Sequence, residues 1–162
     1  TDFENNYTTG FSTIAAAGTH SYAAGGGFLS LDVHLGTEIG TLEQPEYVQA
    51  YVRPSYTNQE GGEIDLVGDY YVAMAYFSNN GNLYIQESGG ETYVQSYSAS
   101  TWYRLEFRNI DWTNKNYDFY VNNVLRVTDA TFTNTAATGI TEFRFMSFEP
   151  GAEFRLDEIL VQ

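Results

Sequence analysis

Apolar and polar residues alternate with a period of two along most of the chain, which is the pattern of half-buried β-strands. The segment EYVQAYVR alternates Val48, Ala50 and Val52 with more polar neighbours, and WYRLEFRNI, ITEFRFMSF, FLSLDVHL and NYDFYVN behave in the same way. No segment keeps a helical i, i+3, i+4 stripe for three turns. We therefore predict an all-β protein of ten or more short strands, arranged as an antiparallel β-sandwich or barrel.

Glycine- and asparagine-rich turns separate these runs, among them AAGGG, SNNGN, ESGGE, VNNV and EPGAE. One hairpin is predicted in NLYIQESGGETYVQ, turning at Gly89-Gly90. A second is predicted in NYDFYVNNVLRVTD, turning at Asn122-Asn123, because asparagine tolerates the left-handed backbone of such turns. The chain shows no internal repeat, linker or domain boundary, so we expect residues 1–162 to form a single β-sandwich domain.

Charge and composition exclude several classes of function. The 162 residues carry a formal net charge of −14, which disfavours nucleic acid and anionic membranes as partners. The chain has no cysteine, so disulfides, zinc–thiolate sites and thiol nucleophiles are excluded. No run approaches the roughly 18 apolar residues that span a bilayer. The chain opens on TDFENNYTTGF without a signal peptide, so we expect a mature piece of a longer secreted protein.

The order of motifs in the last sixty or so residues is similar to that of a known family. WYRLEFRNID, YDFYVNNVLRV, FRFMSF and FRLDEILV follow one another as in the concanavalin A-like (laminin G-like) jelly roll, where a Trp-led strand precedes a hairpin and a closing strand. This resemblance implies two curved sheets of about six strands each. It also implies that glycans would meet the concave sheet.

The segment GEIDLVG resembles the catalytic strand of laminarinase- and agarase-type glycoside hydrolases, which share this jelly roll. Their pattern is Glu-x-Asp-x-x-Glu, with a nucleophile, a supporting Asp and a general acid/base. Glu63 and Asp65 match the first two positions, but the third is Gly68. Asp69 comes one position late and could face the sheet only through a bulge. Three interpretations stay open: an ordinary strand with both acids solvated, a non-catalytic descendant that binds sugar, and a compact hydrolase.

Lyase chemistry has less support in the sequence. Alginate-type lyases of this architecture carry spaced arginines and a Gln-x-His strand. The segment VQAYVR offers Gln49, Tyr51 and Arg53 at matching parity, but neither His20 nor His34 lies in a Gln-x-His context. A serine–histidine triad is equally unsupported, since no glycine-flanked serine elbow accompanies either histidine.

Tyrosines at alternate positions suggest a binding face. If Val48, Ala50 and Val52 face the core, the other face of their strand presents Tyr47, Gln49, Tyr51 and Arg53. In YYVAMAYF, inward Val72 and Met74 would place Tyr71, Ala73 and Ala75 beside that row, leaving a shallow trough for a polysaccharide. The opposite phase would instead expose Tyr70 and Tyr76. Sugar rings stack on aromatic rings, and Arg, Gln and carboxylates bond their hydroxyls.

The two tryptophans lie in different settings. Trp102 opens a strand, and we expect it in the core. Trp112 lies in the polar turn IDWTNKN, where it would be an exposed aromatic for sugar or a cap on the end of the sandwich.

A structural calcium ion is also expected. In related carbohydrate-binding sandwiches, acids on the first and last strands hold one Ca²⁺, and the resemblance carries this role to Glu4 and Asp157, with Asp2 as a weaker candidate. Hard cations take six to eight oxygen ligands. The alternation also breaks near Asp157, since Phe154 and Leu156 share one phase and Ile159 and Val161 the other, which predicts a bulge.

Together these observations favour a non-catalytic carbohydrate-binding module that holds a polysaccharide. We expect a monomer, tethered to other domains of an extracellular bacterial protein. The alternatives are a small glycoside hydrolase or polysaccharide lyase that uses Glu63 and Asp65, and an adhesion module.

Overall fold

The computed structural model describes residues 20–23, 28–32, 41–146 and 153–162. Twelve β-strands and no helix occur in these ranges. In chain order the first six are β1 (His20–Ala23), β2 (Phe28–Asp32), β3 (Tyr47–Pro54), β4 (Gly62–Gly68), β5 (Tyr71–Phe77) and β6 (Asn82–Glu87). The second six are β7 (Gly90–Ser96), β8 (Tyr103–Asp111), β9 (Asn116–Val121), β10 (Val124–Thr131), β11 (Ile140–Met146) and β12 (Glu153–Val161).

The strands form two six-stranded sheets in which every pairing is antiparallel. Sheet I has the order β1-β12-β3-β8-β9-β10, and sheet II has the order β2-β11-β4-β5-β6-β7. This architecture confirms the predicted all-β antiparallel β-sandwich. In the part of the chain described here, no helix is long and apolar enough to cross a membrane.

A single hydrophobic core lies between the inner faces of the sheets. Its centre is aromatic. Phe154 of sheet I stacks on Phe145 of sheet II, with ring centroids 4.7 Å apart, and meets Phe77 of sheet II at 5.6 Å. All three rings are buried. Burial of large apolar surfaces is the main favourable term in folding. Phe154 therefore stabilises the packing of the two sheets against each other.

The two predicted hairpins are present. Asn122 and Asn123 connect β9 to β10 with φ angles of 52° and 65°, the left-handed pair that such a two-residue turn needs. The connection between β6 and β7 consists of Ser88 and Gly89, one residue earlier than predicted, and Gly90 opens β7 with φ 127°.

A bulge on β5 reverses which of its residues face the core, compared with the prediction. Leu66 pairs with Ala73 and Val67 with Tyr71, so Val72 is an extra residue in the ladder. Val72 and Ala73 are both buried, and from there on Ala75 and Phe77 face the core. The prediction that Met74 faces inward and that Ala73 and Ala75 face outward was therefore wrong. Met74 and Tyr76 face outward instead, which is the alternative phase that the sequence left open for Tyr76.

Gly62 sets the start of β4 against the core. Its φ is 127°, and a Cβ atom at this position would lie 2.1 Å from Cδ1 of Phe154. Only glycine combines this backbone conformation with so close an approach of an aromatic ring. The residues that follow Gly62 on β4 are those whose chemistry the sequence singled out.

Candidate functional site

The outer face of sheet I carries the predicted row of Tyr47, Gln49, Tyr51 and Arg53 on β3. These side chains lie opposite the buried Val48, Ala50 and Val52, as the alternation predicts. Arg53 is already engaged, since its Nε donates a hydrogen bond to the backbone oxygen of Ser100 at 2.9 Å.

Polar contacts connect this row to β8. The Tyr47 hydroxyl lies 2.7 Å from Oε1 of Gln49 and 2.9 Å from Oε2 of Glu106. Arg104 donates from Nε to Oε1 of Gln49 at 2.9 Å, and its guanidinium lies 3.0 Å from Oε2 of Glu106. Burial is the main cause that raises the pKa of the Tyr47 hydroxyl. The polar groups that would bond a sugar on this face therefore bond each other.

Glu106 is the centre of the network. It is fully buried, and it forms ion pairs with both Arg104 and Arg108. The backbone N–H of Asn123 donates to its second oxygen at 3.2 Å. Arg108 also lies over the Tyr120 ring, 4.1 Å from its centroid. A buried carboxylate that is paired in this way stabilises a fixed arrangement of side chains.

Tyr71 does not belong to this face, and that part of the predicted trough was wrong. Tyr71 lies on β5 of sheet II, whereas Tyr51 lies on β3 of sheet I, so the hydrophobic core separates them. Alternation gives the phase of each strand, but it does not say which sheet a strand joins. The arginines of the two faces are separated in the same way, with Arg144 on sheet II and Arg53, Arg104 and Arg108 on sheet I.

Two cross-strand rows cover the outer face of sheet II. The first row runs from Glu63 on β4 through Tyr76 on β5 and Tyr84 on β6 to Tyr93 on β7. The second row lies beside it and runs in register through Arg144, Asp65, Met74, Gln86 and Glu91. These rows bring Glu63 and Asp65 together with residues from four further strands, β5, β6, β7 and β11.

Glu63 and Asp65 are both buried, with 9% and 0% of their surface exposed. The interpretation that both acids are solvated was therefore wrong, because both side chains are buried. No N–H or hydroxyl group among the described residues donates to the carboxylate of Asp65, whereas the carboxyl groups of Glu63 and Asp65 share a hydrogen bond. Burial raises the pKa of Glu63 well above its usual range, and the charge of Asp65, this hydrogen bond and the charge of Glu60 raise it further. Burial also raises the pKa of Asp65, whereas the hydrogen bond with Glu63 and the charge of Arg144 lower it.

Arg144 is the cation that faces these acids. It pairs with Asp65 in the β11–β4 register, yet its Nε donates to Oε2 of Glu142 at 2.8 Å. Its Nη1 reaches across β4 to the Tyr71 hydroxyl at 3.4 Å. Arg144 therefore lowers the pKa of Asp65 through its charge while its hydrogen bonds go to other residues.

The third position of the hydrolase pattern holds no carboxylate. Gly68 ends β4, where a Cβ would lie 2.0 Å from the backbone oxygen of Gly139. Asp69 is exposed, and its carboxylate accepts hydrogen bonds from the backbone N–H and the hydroxyl of Thr138. The β4–β5 bulge at Leu66 and Val67 does not turn Asp69 onto the sheet.

The tyrosines of the first row contact one another. The rings of Tyr76 and Tyr84 stack with centroids 5.5 Å apart and planes 19° apart. Tyr93 is turned by 72° relative to Tyr84, and 55% of it is exposed. The Tyr84 hydroxyl accepts hydrogen bonds from the side-chain amides of Asn80 and Asn82, at 3.0 and 3.5 Å. Tyr93 is therefore the residue of this row that offers an open aromatic surface.

A cavity of about 230 Å³ opens beside this row. Its described walls come from four strands and the loop before β4. Six side chains that matter for chemistry line it, namely Glu60, Glu63, Met74, Tyr76, Gln86 and Glu91. Burial raises the pKa of the Tyr76 hydroxyl, and a hydrogen bond with Glu91 raises it further. Glu91 and Glu63 thus lie in one cavity although they come from strands that are not neighbours.

Trp112 has one of its two predicted roles, whereas the prediction for Trp102 was wrong. Trp112 is half-buried, packs on Phe132 with ring centroids 5.1 Å apart, and donates from Nε1 to the backbone oxygen of Pro45 at 2.9 Å. It caps the end of the sandwich, which was one of the two predicted roles. Trp102 was expected in the core, but 37% of its surface is exposed, and it lies near Tyr51 of sheet I.

Of the predicted calcium ligands, Asp157 is the one that the structure describes. Glu4 and Asp2 lie outside the described residues. The predicted bulge is present, since the β12–β3 register shifts between Asp157 and Leu160, and Glu158 has φ 43°. Asp157 accepts a hydrogen bond from the backbone N–H of Glu158 at 2.9 Å. No group of three or more metal-ligating side chains is found within the described ranges, so this part of the chain supplies a single candidate ligand.

The sequence did not single out Tyr84, Gln86, Glu91 or Tyr93. The signal for Tyr84 and Gln86 is the alternation of NLYIQE, in which Leu83 and Ile85 are buried. Glu91 and Tyr93 are the exposed residues of a similar alternation in GETYVQS. Adding them to the site required the knowledge that β6 and β7 extend the sheet of β4.

Comparisons with known proteins agree with this architecture. No family model and no curated protein matches the sequence. Among solved structures, a sialidase superposes with a TM-score of 0.70 at 10% identity, over 89% of this chain and 15% of the sialidase. Caenorhabditis elegans galectin LEC-6 gives 0.54 at 15% identity, over 86% of this chain and 95% of the galectin. The Crh5 transglycosylase gives 0.66 at 11% identity, over all of this chain and 82% of that one.

These similarities concern backbone architecture, since the identities are low. They agree with the two antiparallel six-stranded sheets and with the motif order of the C-terminal half. The chain therefore has the concanavalin A-like jelly-roll fold.

Proposed function

We propose that this chain is a carbohydrate-binding module that holds a polysaccharide on the outer face of sheet II. The observation that carries the proposal is the row of Tyr76, Tyr84 and Tyr93, which leads into the cavity beside Glu63. The exposed Tyr93 ring offers a surface for the CH groups of a sugar, and the cavity offers oxygen atoms for its hydroxyls.

Sheet I is the weaker candidate for this role. The hydrogen-bonding groups of Tyr47, Gln49 and Arg104 are occupied by one another and by Glu106. A ligand there would have to break an existing network before it formed new bonds, which costs free energy on binding. The proposed site therefore moves from β3 to β4, β5, β6 and β7.

The wider setting belongs to the same proposal. A module of this kind would work as a monomer, tethered to other domains of an extracellular bacterial protein. The net charge of −14 favours neutral or positively charged glycans over sulfated ones.

Affinity gel electrophoresis against neutral, sulfated and amino-group-bearing polysaccharides tests the proposal, with reducing ends measured on the same samples. We expect retardation by at least one glycan without release of reducing ends. Migration unchanged by every polysaccharide in the panel would contradict carbohydrate binding and favour an adhesion module.

A glycoside hydrolase is the second candidate, and one observation favours it. Glu91 and Glu63 line the same cavity, and the raised pKa of Glu63 keeps a proton on that carboxyl near neutral pH. A protonated carboxyl and a second carboxylate are the parts that glycosidic cleavage requires. Release of reducing ends by the native chain, lost in both Glu63→Gln and Glu91→Gln, would favour this candidate over the binding module.

A further inference from the structure

A second pocket with aromatic walls lies on the outer face of sheet I. It has a volume of about 260 Å³ and is bounded by Tyr51, Trp102, Asp157 and Glu158. Tyr51 lies on β3 in the middle of this sheet, where it pairs with Asp157 of β12. Trp102 directly precedes β8, and 37% of its surface is exposed. An exposed indole beside a second aromatic ring offers a surface on which a sugar ring can stack.

The bulge in β12 brings carboxylates to this pocket. The register between β12 and β3 shifts between Asp157 and Leu160, and Glu158 has φ 43°, a backbone angle that is uncommon outside glycine. Bulges re-aim side chains, and here Asp157 and Glu158 both line the pocket together with Tyr51. The pocket therefore combines aromatic surface for the CH groups of a sugar with acceptors for its hydroxyls.

The hydrogen-bond network around Glu106 leaves this pocket open. None of the bonds in that network involves the side chain of Tyr51, Trp102 or Glu158. A sugar in the pocket could bond to these groups without first breaking the network, unlike a sugar placed on Gln49. The argument against the centre of this face therefore does not apply to the end at which Trp102 lies.

We propose that this pocket is a second sugar-binding subsite, through which one molecule of the protein binds two polysaccharide chains at once. The inference rests on the proposed carbohydrate binding at sheet II and adds a further site. A sugar ring would stack on Trp102, and its hydroxyls would donate to the carboxylate of Glu158.

The position of the two sites determines what this arrangement would do. They lie on the outer faces of different sheets, with the hydrophobic core between them, so one short stretch of glycan cannot fill both. The module would therefore cross-link polysaccharide chains. Truncation of Tyr51 or Trp102 would leave the affinity at sheet II unaltered, because that site has its own contacts.

Aggregation of glycan-coated beads tests the proposal on the full 162-residue chain. The probes are latex beads coated with a neutral β-glucan, a sulfated galactan or a polyglucosamine, and both bound protein and turbidity are measured. We expect the native chain to bind and aggregate at least one kind of bead, because cross-linking needs two sites. At equal bound protein, Trp102→Ala should lower the turbidity by at least about tenfold. Glu158→Gln, at an exposed position, should lower it in the same direction.

The matched control is Tyr70→Ala. Tyr70 is also aromatic, and 49% of its surface is exposed, but it lines neither pocket, so its removal should leave the turbidity unchanged. Aggregation by Trp102→Ala equal to that of the native chain would overturn the inference, as would an equal loss in Tyr70→Ala. Binding of the native chain without aggregation would also overturn it and would leave the proposed function standing. Absence of binding to all three kinds of bead would overturn both.

Discussion

The guanidinium of Arg104 lies 3.0 Å from the carboxylate of Glu106, and none of the Glu106 side chain is exposed. An ion pair on the outer face of a sheet is ordinarily open to water. Here Arg108, Tyr47 and the backbone of Asn123 close around the carboxylate. The outer face of sheet I is therefore organised around one internal charge. On the outer face of sheet II, Arg144 forms an ion pair with Glu142 and acts on Asp65 through its charge.

We predict that Glu106→Gln destabilises the protein by about 2 to 4 kcal/mol, because it leaves Arg104 and Arg108 close together without their shared counter-charge. Urea denaturation followed by tryptophan fluorescence measures this loss. The control is Arg126→Gln on β10, where an exposed arginine should matter by less than about 0.5 kcal/mol. Equal stability of Glu106→Gln and the native chain would show that the network contributes nothing.

We predict that Tyr93→Ala weakens glycan binding about tenfold, which corresponds to about 1.4 kcal/mol. Tyr93 is exposed, so its truncation should leave the free energy of unfolding nearly unchanged. Tyr51→Ala on sheet I should leave the affinity unaltered. If Tyr51→Ala abolished binding and Tyr93→Ala did not, the site would lie on sheet I.

Because Glu63 and Asp65 of β4 are buried, we predict that the free energy of unfolding falls as pH rises. Folded Glu63 and Asp65 hold their protons more tightly than the unfolded chain does, since their pKa values are raised. Above the ordinary carboxyl range the unfolded state therefore binds fewer protons, and the free energy of unfolding decreases with pH until the folded groups have ionised. Denaturation curves from about pH 4 to about pH 8 should show this decrease.

Asp65→Asn should flatten that decrease, because it removes one of the two titrating groups. Asp69→Asn is the contrasting control. Hydrogen bonds from Thr138 lower the pKa of Asp69, so its contribution is present above the ordinary carboxyl pKa and is lost as pH falls through its folded value. Asp69→Asn should therefore lower the free energy of unfolding by a constant amount above the ordinary carboxyl pKa, and should change the slope of the profile only at its acid end. An unchanged slope in Asp65→Asn would contradict a raised pKa at this site.

Alanine substitutions at two glycines with the same φ angle distinguish the cost of backbone strain from the cost of a steric clash. Gly62 and Gly90 both have φ 127°, but a Cβ at Gly62 would lie 2.1 Å from the Phe154 ring, while a Cβ at Gly90 would meet nothing within 4 Å. We predict a loss of about 1 to 2 kcal/mol for Gly90→Ala from the backbone alone. Gly62→Ala should lose about 2 kcal/mol more, because the ring must move. Thermal unfolding of both variants in one buffer compares them directly.

Calcium binding stays a prediction for Asp157, together with Glu4 and Asp2. A metal that only the native state binds raises the melting temperature, by an amount that grows with its concentration. We expect calcium to raise the melting temperature, EDTA to reverse the increase, and Asp157→Asn to abolish it. A melting temperature that is the same in calcium and in EDTA would contradict a stabilising calcium site at Asp157.

The fold could be predicted because the alternation of apolar and polar residues is visible within each strand. The alternation around Val48 and around Leu105, and the Asn122-Asn123 turn, are local patterns that tertiary structure left intact. The bulge near Asp157 was visible for the same reason, since two successive phases of apolar residues cannot fit one regular strand. That residues 1–162 form a single domain stays a prediction.

The site was harder to predict, because it depends on relations between strands that are distant in sequence. Tyr51 and Tyr71 have compatible phases but lie in different sheets. One extra residue at Val72 reversed the faces of Met74 and Ala75, and nothing in YYVAMAYF marks that position. The burial of Glu63 and Asp65 is likewise a property of the folded protein that the alternation within a single strand does not reveal.

Gly62 is at once a wall of the cavity and a contact of Phe154, the ring that holds the two sheets together. At this point the cavity and the hydrophobic interior are separated by the thickness of one polypeptide backbone. A sugar held in the cavity as proposed would lie against Gly62, and the other side of Gly62 contacts the Phe154 ring. The wall of the proposed site and the packing between the two sheets would then share a residue that has no side chain of its own.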